Sequence, residues 1–309
     1  MNVISLCDGM SCGQISLNVC GFEIEHYFAS EIYDKAIQVT QDNFPNTIQC
    51  GNLLDLYQNK QWLKSLPKID LVIFGFPCRN SSKAVKGRVG YDGGLAGDAS
   101  WLFYPCSDIL NWIKTNNNPE VYFFCENVDG VSKEDREKIS NILGVDCVKV
   151  NSNLFSAQDR SRLYWTNIEY DISKLPTSNN IVLKDILDED VDDSYYYKCG
   201  FDFHGIDKKV CASVNLNGHD ILKRVNSPYF KSATLTSCRG GGHQKKVFDE
   251  KKWLPRKLTE NEYRKLQTIP AWYKIDVAKS HAYNMCGDGW TISVINWFFR
   301  FMPRDNVIR

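Results

Sequence analysis

Cys78 and Glu126 each stand just past an apolar run. Cys78 follows Leu71-Val-Ile-Phe74 through Gly75-Phe-Pro77, and Glu126 follows Val121-Tyr-Phe-Phe-Cys125. A thiolate is a nucleophile, and a partly buried carboxyl favours its protonated form, so the two types could supply covalent attack and proton donation. Plainer readings exist for both. The chain has 12 cysteines, a residue type that is most often core, and a carboxylate after a strand can simply cap the next turn. Further along, Arg160-x-Arg162 alternates in an extended segment, which puts both guanidinium groups on one face, ready for a carboxylate, a phosphate or a base edge.

These residues need a scaffold, and the apolar runs supply one. Leu71 to Phe74 is short, β-branched and without alternation, as in a strand covered on both faces of a parallel sheet. Pro77 ends it, and about twenty polar residues with five glycines follow Cys78, a loop length that in compact domains is usually functional. Upstream, Val3 to Leu6 reads as a strand, Cys7-Asp-Gly-Met-Ser-Cys-Gly13 as a turn and Gln14 to Cys20 as a helix, the unit that cradles a nucleotide-like ligand. A second strand spans Glu23 to Ser30 and meets Glu31, which either takes ribose hydroxyls or starts the helix Tyr33 to Phe44. A third, Thr47 to Cys50, runs into Gly51-Asn52-Leu53. Ser100 caps a helix from Trp101 to Lys114, the fifth strand is Val121 to Cys125, and helix Lys133 to Leu143 precedes strand Val145 to Val150. This βαβ rhythm predicts an α/β fold with a doubly wound sheet and a ligand along the carboxyl ends of its strands. From about Asp171 the rhythm is lost and a smaller domain begins. Thr259-Glu-Asn-Glu262 is a capping box, and Trp290 to Met302 is a helix apolar on most faces, hence core.

With 309 residues, 43% hydrophobic, the chain can bury a large core. Met1-Asn-Val-Ile-Ser-Leu lacks a basic signal-peptide start and no apolar run reaches membrane-spanning length, so a soluble intracellular protein is expected. The cysteines follow no paired framework; Cys12, Cys50, Cys106, Cys125 and Cys147 fall in apolar patterns, and neither disulfides nor a zinc site is expected. Net charge is zero, which argues against nonspecific coating of nucleic acid but not against a charged cleft. Six acids lie within 185–193, and seven basic against two acidic residues within 239–257.

Taken in order, these segments make the chain resemble the DNA (cytosine-5) methyltransferase family over nearly its full length. Leu6, Cys7, Asp8, Gly9 and Gly13 resemble the family's cofactor loop, Glu31 with Ile32 its ribose-binding acid and neighbour, and Asn52-Leu53 its adenine-edge pair. Phe76-Pro77-Cys78 is similar to the nucleophile motif, Ser100-Trp-Leu102-Phe to the cofactor-side helix start, Glu126-Asn-Val to the catalytic acid motif and Gln158-x-Arg160-x-Arg162 to the motif that holds the target base. Ser232 to Thr236 and Arg256 to Pro270 resemble the borders of the recognition domain, and Gly287-Asp288-Gly289-Trp290 the last motif.

The resemblance implies a Rossmann-like methyltransferase domain, residues 1–170 plus 277–309, and a target-recognition domain over 171–276. It implies S-adenosylmethionine as cofactor, held by the cofactor loop, Glu31, Ile32, Asn52, Leu53, Pro77, Leu102 and Asp288 to Trp290. The substrate would be double-stranded DNA, with a cytosine turned out of the duplex. Cytosine C5 is a poor nucleophile, so a thiolate must add at C6 while an acid stabilises charge at N3; Cys78 and Glu126 take these roles, and Arg162 and Arg160 orient O2 and the carboxylate. DNA contacts fall to Arg79, Ser81, Lys83, Lys86 and Arg88 in the long loop, to Gln158, and to Arg239, Gly240, Gly241 and His243 for base reading. No metal and no membrane are implied, and the protein is expected to be a monomer, cytoplasmic in a prokaryotic or phage-infected cell and nuclear in a eukaryote.

Departures from the pattern are Cys7 in place of Phe, Asn52 in place of Asp, Arg79 after the nucleophile and Asp288 in place of Asn. An RNA (tRNA) cytosine-5 methyltransferase would share the chemistry, but that branch usually shows Pro-Pro-Cys-Gln-Pro at the nucleophile. A catalytically silent DNA-binding module would not need thiol, acid and both arginines together.

Overall fold

The computed structural model describes residues 1–77, 95, 97 and 100–303. Strand β1 (Asn2–Leu6) is buried along its whole length, Asn2 and Ser5 included, as a central strand of a parallel sheet covered on both faces must be. It pairs in parallel with β2 (His26–Ser30) on one side and with β4 (Leu71–Phe74) on the other. Beyond β2 lies β3 (Ile48–Gln49), and beyond β4 lies β5 (Tyr122–Val128), both again parallel. An antiparallel strand, β7 (Ser161–Thr166), follows β5, with β6 (Val148–Asn151) at the edge.

The spatial order β3-β2-β1-β4-β5-β7-β6 reverses direction between β1 and β4. In open α/β sheets that reversal opens a crevice beyond the carboxyl ends of the two strands. The two loops that leave there begin at Cys7 and at Gly75, the second leading to Cys78. Strand β5 runs three residues past the expected Cys125, because antiparallel pairing with β7 carries it through Glu126, Asn127 and Val128.

Two compact units make up the chain: residues 1–150, 161–173 and 295–309 form the first, and 151–160 with 174–294 the second. Unit 1 holds the seven-stranded sheet. Its core includes Leu6, Val72, Phe74, Phe103, Ile109, Phe123 and Trp165, each at most 1% exposed. The last helix is Ile292–Phe299. Phe298 and Phe299 each make an edge-to-face contact with Phe124, ring centres 5.3 Å apart, as its apolar faces predict. Helix Lys133–Leu143 has the expected bounds: Ser132 caps its start, and Gly144 ends it in a left-handed conformation.

Unit 2 contains a five-stranded sheet of β8 (Phe201–Phe203), β9 (Val210–Val214), β10 (Arg224–Asn226), β11 (Lys246–Asp249) and β12 (Leu254–Lys257), in the order β12-β11-β10-β9-β8. Cys211, Ala212, Val214, Val225 and Phe248 form its small core. Residues 151–160 and 277–294, grouped by the sequence with the catalytic part, cluster here. The Thr259 capping box is present, and its Glu262 has a second task. Arg256, 1% exposed, holds Glu262, 0% exposed, through paired bonds of 2.8 and 2.7 Å, the fork geometry that makes a buried ion pair tolerable. The acidic run is partly internal: Asp188 accepts from Thr259, Asn261 and Lys265.

Of the five cysteines expected in the core, Cys12, Cys106 and Cys125 are buried, whereas Cys50 and Cys147 are only half-buried. Among the described residues no group of side chains could hold a metal ion, and no helix is long and apolar enough to cross a membrane.

Candidate active site

The loop leaving β4 is tied down as far as it is described. Asn127, 1% exposed, donates to the Phe76 carbonyl at 3.1 Å, and Ser100 Oγ donates to the Pro77 carbonyl at 3.3 Å. The Phe76 ring packs 5.2 Å from Phe103. Neighbouring β5 and the start of the Phe103–Asn116 helix thus hold the two residues that deliver Cys78. Cys78 itself, with Arg79, Ser81, Lys83, Lys86 and Arg88, lies outside the described residues. Leu102 is half-buried against the unit 1 core.

Glu126 lies inside β5, not in a turn after it. In the antiparallel register Glu126 faces Tyr164 and Val128 faces Arg162, so Glu126 and Arg162 are diagonal neighbours on one face of the sheet. Arg162 Nε stands 3.0 Å from Glu126 Oε1, with side chains 12% and 10% exposed. A pair so withdrawn from water is screened little, and the guanidinium fixes the orientation of the carboxylate.

At the tips of β1 and β2 a second polar cluster forms. Asp8 accepts from Tyr27 Oη at 2.9 Å and from Ser11 Oγ; burial, reinforced by the charge of Glu31, pushes its carboxyl up to about 6. Glu31 takes the helix-start role that the sequence left open and adds a bond from the loop after β1. One oxygen accepts from Ile32 N and Tyr33 N at 2.7 and 2.8 Å, at the start of the Asp34–Asn43 helix, and the other from Gly9 N at 2.7 Å. The acid therefore fixes the loop after β1 against β2. Gly9 adopts φ +60°, and a Cβ there would meet nothing within 4 Å, so the loop is open above it. Ile32 is 72% exposed beside it. Cys7 is half-buried against the core with φ 55°, Leu6 is fully buried, and Gly13 packs against Ile73 and Tyr27. Asn52 is exposed, but its carbonyl caps the Leu53–Gln58 helix by accepting from Leu54 N at 3.0 Å. Leu53 is buried below it.

Arg160 and Arg162 have different partners. Arg160 precedes β7, belongs to unit 2 and is 2% exposed. It donates to the carbonyls of Leu235, Gly287 and Gly289 at 2.7, 3.0 and 2.8 Å. Its donors serve main chain rather than a base, which corrects the expectation for this residue. Gln158, expected at DNA, is 0% exposed; it donates to Leu266 O at 3.1 Å and accepts from Leu235 N at 2.8 Å. Gln267 and Thr291, which the sequence reading missed, continue the network. Gln267 donates to Cys286 and Gly289 carbonyls, and Thr291 Oγ1 donates to Gln267 Oε1 at 2.8 Å.

This mesh explains three motifs at once: Gln158-x-Arg160, Thr234-Leu235 and Gly287 to Gly289 are parts of one hydrogen-bonded joint in unit 2. A Cβ on Gly287 would fall 2.4 Å from the Thr236 backbone, so only glycine fits. Asp288 ends the Lys279–Asp288 helix and accepts from Ser237 and Asn284. Trp290 is half-buried. Arg239 and His243 are exposed on either side of a turn that includes Gly240 at φ 101° and Gly241 at φ 69°.

Comparisons with known proteins agree with this architecture. The chain is 27% identical over 252 residues to the type II methyltransferase M.SsoII of Shigella sonnei, covering 75% of this chain and 63% of the relative. It is 26% identical to M.Bsp6I, a type II methyltransferase of Bacillus sp., covering 89% of this chain and 91% of that one. Among solved structures, the S. pombe Dnmt2 methyltransferase shares the fold with a TM-score of 0.66 at 17% identity, over 97% of each chain. The family model for C-5 cytosine-specific DNA methylases matches residues 1–302, and the chain belongs to that family.

Proposed function

We propose that the chain methylates cytosine at C5 in duplex DNA, with S-adenosylmethionine as methyl donor and Cys78 as covalent nucleophile. The observation that carries this reading is the Glu126–Arg162 pair on the strand next to the loop that delivers Cys78. The Cys78 thiolate adds to C6 of the extruded base. Glu126, oriented by Arg162, donates a hydrogen bond or proton at N3, where charge develops. Addition at C6 makes C5 nucleophilic; after methyl transfer, loss of the C5 proton and departure of the thiolate restore the aromatic ring.

The strand tips fit the cofactor. Glu31 presents a carboxylate already oriented by three amides, exposed Ile32 offers an apolar face, and the open space over Gly9 lets a ligand reach the backbone. With the Asn52 carbonyl engaged as a helix cap, adenine recognition rests on its remaining lone pair and amide. Unit 2, with the Arg239–His243 turn, is assigned the choice of target; Lys83, Lys86 and Arg88 contact phosphates. The reading includes a monomer that needs no metal and a cytoplasmic setting, which the bacterial relatives support.

Bisulfite sequencing of DNA from cells expressing the protein tests the activity and gives the site. Protected cytosines in one sequence context, absent with Cys78→Ser, are expected; uniform conversion would refute the reading. Calorimetry with S-adenosylhomocysteine should show binding that survives a chelator, and binding only with a divalent metal would count against the cofactor assignment.

A further inference from the structure

One buried charge in unit 2 is unaccounted for by the chemistry above. Lys246, on β11, is 2% exposed, and among the described residues it makes no ion pair with a carboxylate. Burying an ammonium in that way is costly. Its Nζ donates to the carbonyls of Gly242 at 2.8 Å and Gln244 at 3.0 Å, and lies 5.6 Å from the centre of the Tyr197 ring. The carbonyls it grips belong to the turn that carries Arg239 and His243. Within the turn itself one main-chain bond, from Gln244 N to Gly241 O, closes a single helical turn. Gly240 and Gly241 have positive φ, and a Cβ on Gly241 or Gly242 would meet nothing within 4 Å. Glycines without packing partners leave a loop many conformations.

We propose that Lys246 is a positioning residue for target choice: its buried ammonium, bonded to Gly242 and Gln244, fixes the turn from which Arg239 and His243 meet base edges. The proposal rests on the assignment of that turn to DNA reading. The charged and titratable neighbours of Lys246 are Lys245, Lys257, Cys238 and the Tyr197 ring. Burial, with repulsion from Lys245 and Lys257, pulls the ammonium down to about 8. Discrimination should therefore weaken in mildly alkaline solution, as the charge-assisted bonds to the carbonyls lose their charge.

The test uses the full chain, two duplexes that differ at one base pair of the site, and the ratio of their kcat/KM values, in which the pH dependence of the shared chemistry cancels. For the natural protein the ratio should fall about tenfold between pH 7.5 and 9.5, on the scale of one base contact. Lys246→Gln should give the lowered ratio already at pH 7.5, with no further fall. A flat profile in the natural protein overturns the proposal, and this arm decides even if the variant does not fold. A fall that persists in Lys246→Gln would assign the effect to another group and likewise overturns it. Arg239→Ala separates the two levels of the argument. If it leaves the ratio unchanged for every base pair of the site, the turn does not read DNA; if it lowers the ratio while Lys246→Gln does not, only the role of Lys246 fails.

Discussion

Arg160 offers the sharpest contrast between what a residue type suggests and what its surroundings require. As a base-orienting group it would affect turnover and leave folding intact. Its position gives the opposite expectation, because three buried carbonyls from two separate segments converge on one guanidinium. A hydrogen bond from a charged donor contributes about 1.5–3 kcal/mol, and shared networks are not additive, so Arg160→Ala should cost unit 2 about 3–5 kcal/mol. Arg160→Lys keeps the charge, but an ammonium lacks the planar fork and cannot match all three acceptors; about 1–3 kcal/mol should be lost. Urea unfolding followed by tryptophan fluorescence gives the stability, and steady-state kinetics give kcat on the folded fraction. If Arg160→Ala unfolds within about 1 kcal/mol of the natural protein while kcat collapses, the guanidinium acts on substrate and the structural account is wrong.

Asp8 makes stability depend on pH. The folded carboxyl keeps its proton up to about pH 6, whereas an unfolded one releases it near about 3.9. The folded state thus binds the extra proton between those values, and stability falls as pH rises through that window. Asp8→Asn should gain up to about 3 kcal/mol at pH 7 and little at pH 4; an equal gain at both would contradict the assignment. Gly287→Ala should lose about 1–3 kcal/mol in urea unfolding, because its Cβ meets backbone, and unchanged stability would mean that the Thr236 segment yields freely. Glu126→Gln should slow methyl transfer by at least about a hundredfold, read in single turnover; a rate within threefold of the natural protein would remove Glu126 from the chemistry.

Elements with local signals were legible in the sequence. Helix Lys133–Leu143 has both its caps, β4 is an unbroken apolar run, and β1 is interrupted within its apolar stretch only by Ser5. The helix Lys279–Asp288 was missed, since His281, Asn284 and Asp288 interrupt any apolar period. Glu126 and Arg162 were each found by type, but their pairing follows from an antiparallel strand inserted into a parallel sheet, a long-range register that no local pattern encodes. The same holds for Arg160, whose partners lie 75 to 129 residues away. Gln158, Gln267 and Thr291 look like ordinary polar residues until the chain folds.

The covalent step is the central claim, and a mechanism-based trap tests it most directly. After addition of Cys78 at C6 and methyl transfer, the C5 hydrogen must leave as a proton, which fluorine cannot do. A duplex carrying 5-fluorocytosine at the target, incubated with S-adenosylmethionine, should form an adduct that survives denaturing electrophoresis. Cys78→Ser should abolish it, since a hydroxyl is a far weaker nucleophile than a thiolate, and Cys106→Ser, a fully buried position, should retain it in the folded protein. An adduct that forms as readily with Cys78→Ser, or none with the natural protein on DNA that it methylates, would contradict the account.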